Sequence, residues 1–227
     1  MQAKKKKIIK RAVDACLTAL LLCLMAYAVT GEALHEWFGM GLTALLIVHH
    51  SLNFRWYRSL FKGKYNAYRV VAAVVNTLLL ASIALTALCG MAMSAHAVPF
   101  LYGFLPVFFA RQFHLAMSYW SFVLMGLHLG LHIPAMAAGL KWSPKVKNAV
   151  LVLSAAVSCA GAWLFIKNGF ADYLFFRTHF AFFDDGKSAA QVFAENAAVL
   201  VLFVCLGALA ARLAKANAKN GSVFPRE

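Results

Sequence analysis

A chain of 227 residues that is 63% hydrophobic, with a mean hydropathy of +0.71, lies well above the roughly half-apolar composition of soluble domains, so water is not its main solvent. Its net charge of +14 would suggest nucleic acid in a soluble protein. That role needs a folded basic surface with base-reading or stacking groups, and no separate soluble domain fits between the apolar runs.

Six runs are each long enough, at about 1.5 Å per residue, to cross or nearly cross a hydrocarbon core of about 30 Å. The first, Ala12–Val29, follows the basic cluster Lys4, Lys5, Lys6, Lys7, Lys10 and Arg11. A basic start, an apolar stretch and the small-residue pattern Ala26-Tyr27-Ala28 also describe a secretory signal peptide. Asp14 interrupts that apolar stretch, and losing the helix would break the alternation of all later loops, so it is read as retained. His35–Phe54 is the second run, and the basic loop Arg55–Arg69 leads to the third, Val70–Ser94. His114–Ala138 is the fourth; after the Lys141–Lys147 loop come Val150–Ile166 and Val192–Leu213.

With six helices and a cytoplasmic N-terminus, 18 of the 22 Lys and Arg fall on the inside, and six of the eight carboxylates fall outside with Arg111, Lys167, Arg177 and Lys187. The expected fold is therefore an all-α integral membrane protein of about six transmembrane helices, multi-pass, with both termini cytoplasmic. Residues 1–140 are expected to form a four-helix membrane bundle, and 141–227 two additional transmembrane helices and a cytoplasmic tail. The five cysteines sit in apolar runs without a CxxC or CxxCH pairing, which disfavours covalent haem attachment and a cysteine zinc site.

An internal repeat carries the chemistry. The second run reads HEWFGMGLTALLIVHHSLNF from His35, and the fourth reads HLAMSYWSFVLMGLHLGLHI from His114. In each, a histidine opens the run, a second follows 14 residues later (His49, His128), and a polar side chain comes four residues after that (Asn53, His132), all at an offset of 79. Fourteen residues make about 3.9 helical turns, so both histidines of a pair project from nearly one face about 21 Å apart. One run separates these helices, so they run parallel, levelling His35 with His114 and His49 with His128. Four imidazoles facing a bundle interior are what two low-spin b-type haems require, one axial nitrogen coming from each helix.

Some assignments stay open. His50 adjoins His49, and an angular offset of about 100° leaves either within reach of one cleft, although the repeat register favours His49. His132 and Asn53 suit a haem propionate, a quinone or plain packing equally. Gly39, Gly41, Gly126 and Gly130 suit either a flat macrocycle or ordinary helix contact. Trp37, Trp56, Tyr57, Tyr119 and Trp120 read as interface anchors, and lone His96 and His179 as interhelical hydrogen-bonding groups or parts of a proton path.

Three stretches carry a family resemblance: Thr30-Gly31 with HEWFG ending at Gly39 and then HHSLNFRWY at His49–Tyr57; LFKGKYNAYR at Leu60–Arg69; and HLAMSYWSFVLMGLHLGLH at His114–His132. The chain resembles the flavinylation-associated cytochromes, bacterial membrane proteins once grouped only as a domain of unknown function. The likeness covers roughly residues 1–140 and continues more loosely through YLFFRTHFAFFD at Tyr173–Asp184. It implies haem b held by the positions matching His35, His49, His114 and His128, and a bacterial inner-membrane location. It also implies electron passage to extracytosolic proteins carrying covalent flavin. Family members commonly place tryptophan after the last histidine of the fourth helix, whereas this chain has His132-Ile133. The paired arrangement is also similar, by analogy of site, to the cytochrome b subunits of quinol-oxidising complexes.

The expected function is thus a dihaem b-type cytochrome carrying electrons from quinol or a cytoplasmic-side donor to an outer flavoprotein, with the aromatic segments Val98–Phe109 and Phe170–Phe183 as candidate docking surfaces. The competing reading is a transporter or channel whose histidines bind a divalent metal or relay protons. A third is a non-redox membrane anchor. No nucleophile–base pair, phosphate loop or metalloprotease motif is present, so any enzymatic role is as one component of an oxidoreductase chain.

Overall fold

The computed structural model describes residues 2–63, 65–137, 141–182 and 186–220, with the side chains of 2–4 and 218–220 excluded. Ala138 at the expected end of the fourth run, Phe183, Asp184, Asp185 and the tail beyond Asn220 lie outside the described residues. Among the described residues every regular element is helical: α1 Gln2–Met25, α2 Tyr27–Leu52, α3 Arg55–Leu60, α4 Ala67–Met91, a 3₁₀ turn Pro99–Leu101, α5 Val107–Ala137, α6 Pro144–Lys167, α7 Phe170–Leu174 and α8 Ala189–Asn220.

Four of these are long and apolar enough to cross a membrane: α4, α5, α6 and the Ala189–Asn217 part of α8. They mark a membrane protein. α6 makes the physical point most clearly, since Leu151, Val152, Leu153, Trp163 and Ile166 are all more than half exposed. In water such a surface would aggregate; in a bilayer it needs no cover. α6 begins where the sequence starts a helix, with Ser143 Oγ accepting from Val146 N at 3.3 Å and Pro144 in the first turn, where its missing N–H costs nothing.

The chain comprises two compact units. The first takes Met1–Gly63, Ala84–Leu115 and Thr178–Asn196; the second takes Lys64–Ile83, Ala116–Arg177 and Ala197–Glu227.

In the first unit α1 and α2 form an antiparallel hairpin, with Lys10 paired to Asn53, Asp14 to His49, and Leu20 against Gly41. The reversal occurs at the fully buried Ala26, and α2 kinks at Gly31, whose φ of 68° and ψ of 176° suit glycine alone. The first apolar run therefore divides between two helices. Hydropathy gave no warning, because Ala26–Val29 is as apolar as what precedes it, while a reversal depends on backbone angles. α2 also anchors the segment after α4. Glu36 accepts from Ser94 Oγ at 2.7 Å and from the backbone N–H groups of Ala95, His96 and Ala97 at 2.8–2.9 Å. Cys89, Ala92 and Ala110 form a fully buried cluster, backed by Leu85, Met93, Leu105 and Phe113.

In the second unit the described parts of α4 and α5 run antiparallel, joined by Tyr68 Oη to the Leu131 carbonyl (3.2 Å), Ser121 Oγ to Ser82 Oγ (3.0 Å) and His128 to Asn76 (2.8 Å). α8 lies parallel to α5 across Gly126, Gly130 and Gly207, and meets α6 where Gly161 touches the Ala198 backbone. α7 is held by the Trp120 indole N–H, which donates to the Leu174 carbonyl at 3.0 Å, and by Tyr119 stacked on Tyr173 at 4.3 Å.

Candidate functional site

His35 and His114 come together in the first unit. Their ring centroids stand 5.9 Å apart at 68°, and Tyr27 meets the other side of His35 at 5.0 Å. Two imidazoles sharing one metal through bonds of about 2 Å have centroids about 6 Å apart, so the spacing suits a common metal ion. His114 Nδ1–H donates to the Thr86 carbonyl on α4 at 2.8 Å, which leaves the lone pair on Nε2. Gly90 makes room for this ring. A Cβ there would stand 3.0 Å from His114 Cε1 and 3.2 Å from Nδ1. His35 is less supported, for its buried Nδ1 makes no hydrogen bond of normal geometry, with the Leu24 backbone close by.

His49 lies in the same unit, and its Nδ1 is 2.8 Å from Asp14 Oδ1. A carboxylate can only accept, so the contact fixes the tautomer with hydrogen on Nδ1 and the lone pair on Nε2, which faces Asn53 Nδ2 at 3.4 Å. His50 differs. Its Nδ1 shares a 2.7 Å hydrogen bond with the Tyr57 hydroxyl, a group that donates or accepts and so imposes no tautomer. The two rings stand 5.5 Å apart and nearly perpendicular, but only His49 has an acceptor committed to it. Lys10 Nζ donates to Asn53 Oδ1 at 2.6 Å, and Asn53 Nδ2 donates to the His49 carbonyl at 2.9 Å. Asn53 is thereby a local brace at the end of α2.

His128 belongs to the second unit. Its Nδ1–H donates to Asn76 Oδ1 on α4 at 2.8 Å, and His132 lies one turn on, exposed, with its ring 4.9 Å from that of His128. The glycines beside His128 serve packing. Two residues of helix turn the chain about 200°, placing Gly126 and Gly130 opposite His128. There a Cβ on Gly130 would collide with the Val204 carbonyl and the Gly207 Cα, and one on Gly126 would meet Phe203 Cβ. Gly39 has open space around its Cβ position, and Gly41 faces only Leu20.

Three of the four register histidines thus donate Nδ1–H to an acceptor on a neighbouring helix, the arrangement that orients a metal-bound imidazole and sharpens its basicity. Sequence reading missed all three acceptors. Asp14 and Asn76 were visible as polar residues within apolar runs, a default functional signal in a membrane helix. Thr86 contributes a backbone carbonyl, which has no signature in sequence.

Other groupings carry less. Glu32, Glu36 and His96 bring ligand atoms within 4.8 Å of one another, but both Glu36 oxygens are already engaged by the segment after α4. His179 and Arg111 line a shallow hollow with Val107, Phe108 and Phe180. Tyr119 and Trp120, read from sequence as interface anchors, are used to fasten α7. Phe100, Phe108 and Phe182 are strongly exposed.

Compared with known proteins, the chain matches no family model, no curated sequence and no solved structure.

Proposed function

We propose that this protein is a membrane b-type dihaem cytochrome that passes electrons across a bacterial inner membrane, from quinol or a cytoplasmic-side donor to an extracytosolic flavoprotein. Bound haem would supply one-electron chemistry between ferric and ferrous iron. The chain's own residues hold and tune it: His35 and His114 are assigned to the outer haem, and the repeat register assigns His49 and His128 to the cytoplasmic-side one. The observation that carries the reading is the common hydrogen-bond polarity of His49, His114 and His128, each of which donates from Nδ1–H to an oxygen on a neighbouring helix. Ring spacing at His35 and His114 agrees with it.

The reading includes α1 and α2 as membrane helices, giving six spans with both termini cytoplasmic. α2 has 26 residues, about 39 Å of helix, enough to cross. α1 has only Ala12–Met25 beyond its basic cluster, about 21 Å, and its lysines can complete the crossing by reaching to the interface. The flavin-carrying acceptor rests on the family resemblance, as does the inner-membrane assignment.

Oxidised and dithionite-reduced spectra of the purified protein, with a pyridine haemochrome count and elemental analysis, test the proposal. Two b haems per chain are expected. Stoichiometric divalent metal without porphyrin would replace it with the transporter reading.

A further inference from the structure

We propose that the hollow beside the start of α5 seats the phosphate of one anionic membrane phospholipid, with Arg111 as its main contact. Four cations fall on the carboxylate-rich side of the proposed topology: Arg111, Lys167, Arg177 and Lys187. Lys187 Nζ donates to Glu195 Oε2 at 2.8 Å, Arg177 pairs with Asp172 at 3.6 Å, and Lys167 lies 4.7 Å over the Trp163 ring. Arg111 differs from all three. It stands exposed about one turn into α5 and, among the described residues, makes no hydrogen bond or ion pair.

Its setting supplies both kinds of contact that a phospholipid needs. Arg111 and His179 come from separate segments of the first unit and line one hollow of about 220 Å³ with Val107, Phe108 and Phe180. A guanidinium offers a pair of parallel N–H groups to a phosphate, and an imidazole keeps a ring N–H donor in either tautomer. Among the described residues no carboxylate lines the hollow, so an anion entering it meets a cation and a donor with no like charge against it. Phe108 and Phe180, its aromatic walls, are themselves more than half exposed, as is Phe182.

Size and setting choose the occupant. The hollow is smaller than the roughly 300–1,000 Å³ of pockets that enclose a small ligand, so it suits a headgroup whose remainder stays outside. α5 is long and apolar enough to cross a membrane, and a cation one turn from the end of such a helix reaches the headgroup level, where aromatic rings are also favoured. A soluble phosphate would leave Phe108 and Phe180 bare. A phospholipid lays its glycerol and acyl chains over them while its phosphate meets Arg111.

Native mass spectrometry of the full-length protein in neutral detergent, titrated with dioleoylphosphatidylglycerol, tests the site. Wild type should hold one such lipid more tightly than any that follow, and about tenfold more tightly than dioleoylphosphatidylcholine. Arg111→Ala should weaken that first site about tenfold, while Arg111→Lys keeps part of the affinity and Lys167→Ala, which removes a cation outside the hollow, binds as wild type. Equal binding by wild type and Arg111→Ala, or no preference between the two lipids, would reduce the contact to an ordinary boundary lipid and overturn the proposal. Displacement of the lipid by inorganic phosphate would overturn it in favour of a soluble anion. Where Arg111→Ala fails to accumulate, His179→Ala decides: weaker first-site binding is expected, and unchanged binding would contradict the site. Haem content does not enter these readouts, so failure here leaves the cytochrome reading standing and haem-free protein leaves this site standing.

Discussion

The two faces of α5 in the second unit do different work with residues only two positions apart. One face presents His128 to Asn76 and Ser121 to Ser82, a polar seam against α4. The opposite face presents Gly126 and Gly130 to α8 so closely that backbone touches backbone. Without a hydrophobic driving force between helices in lipid, close packing of small residues holds α8, while the polar seam sets the orientation of an imidazole. The comparison teaches that a glycine next to a histidine in sequence is not next to it in space. On a helix it is nearly opposite.

Substitutions on the two faces should separate stability from cofactor chemistry. The largest effect is expected from Gly130→Val, whose side chain meets the Val204 carbonyl, the Ala208 amide and Gly207. Overpacking of this kind costs about 1–3 kcal/mol even against mobile side chains, and here the obstacle is backbone. Thermal unfolding in detergent should show a large loss of folded protein; a normal melting curve would mean that α8 is not held at this face.

His128→Ala should act on the other side of the helix, removing one haem's absorbance with little change in the melting curve of the remaining protein. Asn76→Leu comes next. It removes the acceptor of the half-buried His128 N–H, and loss of such an outer partner typically weakens metal affinity about 10- to 100-fold. Haem retention during dilution should fall accordingly, while Asn76→Asp, which keeps an acceptor, should retain it. Ser82→Ala should have the smallest effect on the haem, losing the hydroxyl's bonds to the Leu79 carbonyl and from Ser121, each worth about 1 kcal/mol, and leaving the spectrum unchanged.

The helical architecture was readable because apolar runs of this length have few alternatives, and four of the long helices coincide with runs seen in sequence. Helix ends were less readable. α1 stops at Met25 within an unbroken apolar stretch, and the short helices α3 and α7 lie in segments whose composition says only that they flank membrane runs. The histidine register was visible as a numerical repeat, and the structure brings His35 and His114 into ring contact. Their supporting groups were hidden for a physical reason. Asp14 reaches His49 across 35 positions and Asn76 reaches His128 across 52, distances that only tertiary packing closes. Glu36 was counted only as one of the outer carboxylates, and its role in holding four donors after α4 appears only once both segments are placed.

The most direct test of the account is low-temperature EPR of the oxidised wild-type protein, because it reports the axial ligands as well as the presence of iron. Two low-spin ferric signals of bis-imidazole type, in equal amounts per chain, are predicted. A high-spin signal as the main species, or no haem signal from pure and folded protein, would contradict the assignment of His35, His49, His114 and His128 as axial ligands.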